Sequence, residues 1–312
     1  MKTVLWLQTG ACSGETMALL CAENPSIEQL IREGSIDMLW HPSLSGPGAD
    51  LARLIARIES GEQTLDILCV EGSIVTGPHG TGMFDSFRKR AKMDIVRSLV
   101  EKAGCVVAMG TCAAFGGIPA SGNNPTDSIG LQFDREAKGG LLPFDWRSRN
   151  GLPVINVAGC PAHPETIVRT LAMLARTLPV TLDGLNRPAE FFSSMVHQGC
   201  TRNEYHEYDV EDTALGGRGC LYFNLGCKGP NTQAVCNTTL WNGRSSKTRA
   251  GVPCFGCTAP TFPAETSLFN TEKIADVPVT MPLGVARAQY MAYKNLAKAA
   301  APERVRQRKM EP

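Results

Sequence analysis

An α/β fold, a doubly wound parallel sheet followed by a smaller and irregular domain, is predicted by three features of this 312-residue sequence. Short apolar runs alternate with amphipathic ones as far as about Val180, the pattern left by strand–helix–strand crossovers on a buried parallel sheet. Beyond that point strand-like runs thin out while glycine, asparagine and threonine accumulate. Six of the twelve cysteines then fall between Cys200 and Cys257, in a stretch with too few apolar residues for a large core of its own.

The strands are expected at residues 3–8 (TVLWLQ), 36–40 (IDMLW), 65–70 (LDILCV), 105–110 (CVVAMG) and 153–159 (PVINVAG). Each is short and continuously apolar, as strands covered on both faces are. Helices are expected at 15–22, 27–33, 49–60, 84–103 and 164–178. The last carries Ile167, Leu171, Leu174 and Leu178 on one face. Alternation of this kind makes a flavodoxin-like sheet the expected arrangement. The segment TLDGLNRPA, residues 181–189, is rich in turn formers and reads as a connector between a domain of residues 1–185 and one of 186–312.

Composition narrows the function. With 20% charged residues and a formal charge of +1, the chain lacks the basic surplus of a nucleic-acid binder. No stretch approaches the ~20 apolar residues that span a bilayer. The first residues show no charged segment leading into an apolar one, so the expectation is a cytoplasmic chain whose contact with any membrane comes through partners. Twelve cysteines in a reducing compartment point away from disulfides and toward metal or redox chemistry.

The cysteines divide by position. Cys12 follows the first expected strand, Cys112 the fourth (MGTCAAFGG) and Cys160 the fifth (VAGCPAHP). Ligands of an open α/β sheet bind beyond the carboxyl ends of its strands, so three thiols from distant positions converge at one edge. Soft thiolates brought together in this way select iron–sulfur clusters or zinc. Cys21, Cys69 and Cys105 lie inside a helix or strands and are expected to pack in the core. Glu71, in VEGS after the third strand, falls at the same edge; it either lies near the thiols or a subunit interface, or caps the next turn or pairs with an arginine. In the second half stand HQGC (His197, Cys200), CLYFNLGC (Cys220, Cys227), Cys236, and PCFGC (Cys254, Cys257), enough donors for two clusters. Zinc competes for such spacings. His206, in NEYHEYD, shows no ligand spacing and is expected to be exposed.

Taken together, these motifs resemble the small, electron-transferring subunit of [NiFe] hydrogenases over essentially the whole chain. The resemblance implies that Cys12, Cys112 and Cys160 hold a proximal cluster, that His197, Cys200, Cys220 and Cys227 hold a distal one, and that Cys236, Cys254 and Cys257 hold a medial one, typically [3Fe-4S]. It implies a partner large subunit carrying the nickel–iron centre, an electron acceptor that is a quinone or another protein, and higher assembly of the heterodimers. The respiratory complex I subunit that shares the first domain is a weaker match, since it has no use for Cys200 to Cys257.

Two departures stand out. Glu15 occupies the place of a second proximal cysteine, and one more residue than is common separates Cys220 from Cys227. Together with the expected location, these features resemble the soluble uptake branch, group 2, which also includes hydrogen sensors. Glu15 either supplies an oxygen ligand to a [4Fe-4S] cluster or leaves a corner vacant, so that the proximal cluster is [3Fe-4S], the reading favoured here. As a first-turn residue it also suits a helix N-terminus electrostatically. The distal cluster is left as [4Fe-4S] or [3Fe-4S].

Overall fold

A computed structural model describes residues 1–33, 35–263 and 268–307. The chain divides into two units, Met1–Phe191 with Thr258–Pro263, and Phe192–Cys257 with Ala264–Pro312. The first is built on five parallel strands: β1 (Lys2–Gln8), β2 (Ile36–Trp40), β3 (Leu65–Glu71), β4 (Ala103–Met109) and β5 (Ile155–Val157). Their order across the sheet is β5-β4-β3-β1-β2. That is the flavodoxin-like order, with the reversal of winding between β1 and β3, so the carboxyl ends of those strands open a crevice. Every residue of β4 is buried, as its unbroken apolar run requires. The edge strand β2 is only partly covered beyond Ile36.

The helices are α1 (Gly14–Leu20), α2 (Ile27–Arg32), α3 (Leu51–Ser60), α4 (Lys92–Val100), α5 (Gly110–Phe115) and α6 (Pro164–Ala175). Local chemistry sets several of their ends. Ser26 and Gln29 form a reciprocal capping box on α2, and Asp50 accepts the Ala52 and Arg53 amides at the start of α3. On α6, Ile167, Leu171 and Leu174 pack inward, but the helix stops at Ala175 and leaves Leu178 half exposed.

Two expectations fail here. The long helix expected at 84–103 is confined to Lys92–Val100, because a small hairpin, Ser86–Phe87 paired with Arg90–Ala91, occupies its first part. Arg88 and Lys89 take positive φ at the hairpin tip, which ends helical geometry without a glycine to announce it. Cys21 is the C-cap of α1 and is exposed, not packed in the core. Cys69 and Cys105 are buried as expected, and burial pushes the Cys105 thiol up to about 12.

The second unit has little regular structure: short helices at Asn203–Glu207 and Tyr222–Leu225, and one longer helix, Arg287–Ala299. Its apolar clusters are small and contain the cysteines themselves. One joins Tyr205, Val210, Cys220, Tyr222 and Val305, and another joins Val196, Ala234 and Cys254. Among the described residues no helix is long and apolar enough to cross a membrane.

Candidate metal centres

Three hydrogen-bonded turns assemble the first site at the carboxyl end of the sheet. Gly10 and Ser73 exchange backbone hydrogen bonds, which fixes the turn carrying Cys12 to the end of β3. Thr111 and Gly159 are tied twice. The Thr111 amide donates to the Gly159 carbonyl at 2.8 Å, and the Gly159 amide donates to Thr111 Oγ1 at 2.9 Å. Each of these residues directly precedes a cysteine, so the pairing brings Cys112 and Cys160 side by side.

Burial pushes the Cys112 thiol up to about 12, and the neighbouring Glu15, Cys160 and Cys12 add to the rise. The four expected proximal residues are therefore within electrostatic reach of one another. Cys12 itself is exposed. Gly117, with φ +57°, is required beside this site, because a Cβ there would come within 2.7 Å of Cys112 Sγ.

Glu15, in the first turn of α1, is buried. Its carboxyl lies over Gly110, whose φ of +86° and lack of a side chain leave it room. Burial and then the charge of Glu71 raise Glu15 to about 7 against the backbone amides of Glu15 and Ala162, which work in the other direction. Ala162 is two residues beyond Cys160, so the carboxyl sits between the Cys112 helix and the Cys160 loop.

Glu71 is also fully buried, and its role is resolved by its partners. It accepts hydrogen bonds from Trp6 Nε1 at 2.7 Å, Gln8 Nε2 at 3.0 Å, and the Thr16 amide and hydroxyl at 3.2 and 2.5 Å. Ser13 offers α1 no side-chain cap, and Glu71 takes over part of that task from across the sheet. It caps a preceding helix rather than the following turn or an arginine, while its charge reaches Glu15.

In the second unit His197, Cys200, Cys220 and Cys227 line one small cavity, with Arg202, Leu221, Tyr222 and Pro230 among its other walls. Burial pushes Cys220 and Cys227 up, with Cys200 contributing to both shifts. Arg202 is buried and holds the cavity's loops: Nε donates to the Thr248 carbonyl at 2.7 Å and Nη1 to the Gly219 carbonyl at 2.6 Å. Its charge also opposes the rise at Cys227.

Cys236, Cys254 and Cys257 form a third group. Burial raises Cys236 to about 11 with Cys257 adding to it, and Cys254 is raised by burial and then by Cys227, Cys257 and Cys236. The Cys254 amide donates to Cys227 Sγ at 3.3 Å, and the Lys228 amide donates to the Cys254 carbonyl at 2.8 Å. The second and third groups are thus joined through the backbone.

Among the described residues no three His, Cys, Asp or Glu side chains close on a single metal-ion position. The His197 set instead surrounds a space. Crowded, buried thiols resist ionising together, and a bound cluster offers the positive charge that lets them do so, releasing their protons. The donors therefore fit iron–sulfur clusters.

One residue was misjudged from sequence. His206 is not exposed: it is partly buried, with its Nδ1 3.5 Å from Cys220 Sγ. Burial pushes it down to about 4, with the adjoining His197 contributing. Arg202 likewise carried no sequence signal beyond its place after Cys200.

Both parts of the chain have counterparts among known proteins. Residues 12–174 match the family model of the NADH ubiquinone oxidoreductase 20 kDa subunit, and residues 192–270 match that of the C-terminal part of the NiFe/NiFeSe hydrogenase small subunit. The chain is 32% identical over 285 residues to the F420 non-reducing hydrogenase II small subunit of Methanosarcina mazei, covering 83% of this chain and 73% of that one. It is 32% identical over 275 residues to periplasmic [NiFe] hydrogenase small subunit 1 of Nitratidesulfovibrio vulgaris, covering 86% and 81%. The actinobacterial-type NiFe-hydrogenase of Ralstonia eutropha H16 superposes with a TM-score of 0.79 at 28% identity, over 100% of this chain and 92% of the other. The first family model alone fits a respiratory subunit as well; the second, which spans Cys200 to Cys257, decides, and the chain belongs to the small subunits of [NiFe] hydrogenases.

Proposed function

We propose that this chain conducts electrons out of a hydrogen-uptake hydrogenase of the group 2 branch, a cytoplasmic enzyme that passes them to a quinone-linked or other acceptor. Small subunits of hydrogenases pair with a large subunit and carry iron–sulfur clusters. Hydrogen is split at the nickel–iron centre of that partner into two protons and two electrons, and the clusters, when bound here, relay the electrons one at a time. Cys12, Cys112 and Cys160 hold the proximal cluster, Cys236, Cys254 and Cys257 the medial one, and His197, Cys200, Cys220 and Cys227 the distal one.

The observation that carries this reading is the backbone link between the last two groups. The Cys254 amide reaches Cys227 Sγ, so a medial and a distal ligand are one hydrogen bond apart. Cys220 and Cys254, one from each site, are buried. A histidine ligand raises a cluster's potential relative to thiolates alone, so His197 favours arrival of the electron at the distal cluster.

Hydrogen-dependent reduction of dyes, quinones and NAD by the purified complex tests the function. Turnover with dye and quinone is the expected result; reduction of NAD alone refutes the acceptor, and hydrogen binding without turnover makes the complex a sensor.

At the proximal site an oxygen ligand holds iron less firmly than a thiolate. Glu15 already accepts the Ala162 amide, so the expected wild-type cluster is [3Fe-4S]. Glu15→Cys is expected to convert it to [4Fe-4S], read as loss of the proximal share of the oxidised three-iron signal in electron paramagnetic resonance, the medial share remaining. An unchanged proximal signal breaks the link between Glu15 and cluster type.

A further inference from the structure

The distal cavity has a second histidine at its edge, outside the proposed ligand set. The helix Asn203–Glu207 carries His206, and its neighbours Tyr205 and Val210 anchor it in the cluster that contains Cys220, Tyr222 and Val305. Two rings fix the imidazole. His197 stands edge-on at 4.6 Å with an interplanar angle of 74°, and Tyr222 stands at 5.4 Å and 80°. In that orientation Nδ1 points at Cys220 Sγ, 3.5 Å away, while the Tyr222 amide approaches the same sulfur at 3.4 Å. Both separations suit N–H···S hydrogen bonds, which are longer than N–H···O bonds because sulfur is the larger acceptor.

A cysteine sulfur bound to iron has lost its proton and can only accept. The hydrogen in this contact must then be on Nδ1. We propose that His206 is a positioning residue of the distal site: its Nδ1–H donates to the Cys220 sulfur, steadies that ligand and raises the reduction potential of the cluster it binds. The inference rests on the distal assignment made above. A hydrogen bond to a ligating sulfur draws electron density from the cluster and favours its more negative, reduced form. Cys220 receives two such bonds from fixed donors, and one of them is a side chain that can be altered without touching the backbone.

The test is a potentiometric titration of the whole complex, followed by electron paramagnetic resonance, for the wild type, His206→Phe and His206→Gln. His206→Phe is expected to keep its iron and labile sulfide and to show a lower distal midpoint potential. His206→Gln, which retains an N–H donor, is expected to recover part of the difference. A full complement of iron with an unshifted distal midpoint in His206→Phe overturns the inference and leaves the distal assignment standing. Loss of distal iron in that variant makes His206 a ligand and overturns it also. A wild-type complex without a distal cluster overturns assignment and inference together. Should His206→Phe fail to assemble, pulsed measurements on wild-type complex labelled with ¹⁵N-histidine decide. Three nitrogen couplings are expected, a strong one from the coordinated nitrogen of His197 and two weak ones, from its remote nitrogen and from the hydrogen-bonded His206 ring, and absence of the third refutes the proposal.

Discussion

Cys112→Ser in the assembled hydrogenase is expected to cut hydrogen-dependent reduction of external acceptors by more than about a hundredfold, while exchange of hydrogen isotopes at the partner's nickel–iron centre continues. Loss of residues that only support metal ligands costs about 10–100-fold, and loss of a ligand exceeds that. The substitution exchanges a soft thiolate for a hard hydroxyl that iron–sulfur chemistry disfavours. Cys112 is also the buried thiol that Glu15, Cys160 and Cys12 all surround closely enough to raise. Its position on α5 is fixed by the Thr111–Gly159 pair, which serine does not disturb. The defect should therefore lie in electron transfer, not folding. Parallel loss of isotope exchange would place Cys112 in assembly with the large subunit instead.

The second large effect is expected at Arg202. In Arg202→Met the carbonyls of Thr248 and Gly219 lose charged donors that now reach them at 2.7 and 2.6 Å. Hydrogen bonds to charged groups contribute about 1.5–3 kcal/mol each, so about 3–6 kcal/mol of stability should go, in a unit with only small apolar clusters to offset the loss. The damage spreads along a defined chain of contacts. Thr248 Oγ1 donates to Asn237 Oδ1 at 2.9 Å, and Asn237 Nδ2 donates to the Val196 carbonyl at 2.8 Å, next to His197. The substitution also removes the positive charge that favours the Cys227 thiolate. Thermal denaturation should begin earlier, and iron bound per chain should fall. Arg202→Lys should rescue little, because one ammonium does not reproduce a fork that reaches two carbonyls. Full iron content in Arg202→Met would reduce the residue to ordinary packing.

Much of the first unit was legible because parallel strands announce themselves. The runs at β1, β3 and β4 are continuous and apolar, and the three proximal cysteines follow strands, so their convergence follows from the topology alone. What was not legible depends on contacts distant in sequence. Glu71 meets Trp6, Gln8 and Thr16 only after the sheet has formed, and nothing beside Glu71 in the sequence names those donors. His206 was misread for a similar reason. Its approach to Cys220 depends on the pairing of Glu211 with Cys220, an isolated bridge in a unit with few strands. The hairpin around Arg88 and Lys89 escaped notice because two charged residues, not Asn-Gly, occupy its positive-φ positions. Cys21 reads as a core residue from a helix expected to reach Ala22, whereas α1 stops at Leu20.

Eleven side chains, Cys12, Glu15, Cys112, Cys160, His197, Cys200, Cys220, Cys227, Cys236, Cys254 and Cys257, are proposed to serve three separate iron–sulfur clusters. Metal and labile-sulfide analysis of the purified complex, combined with electron paramagnetic resonance of its oxidised and hydrogen-reduced forms, tests this most directly. Three distinguishable iron–sulfur centres that accept electrons when hydrogen is admitted are the predicted result. Zinc in place of iron and sulfide, or iron–sulfur centres that stay oxidised under hydrogen in a complex whose nickel–iron site is active, would contradict it.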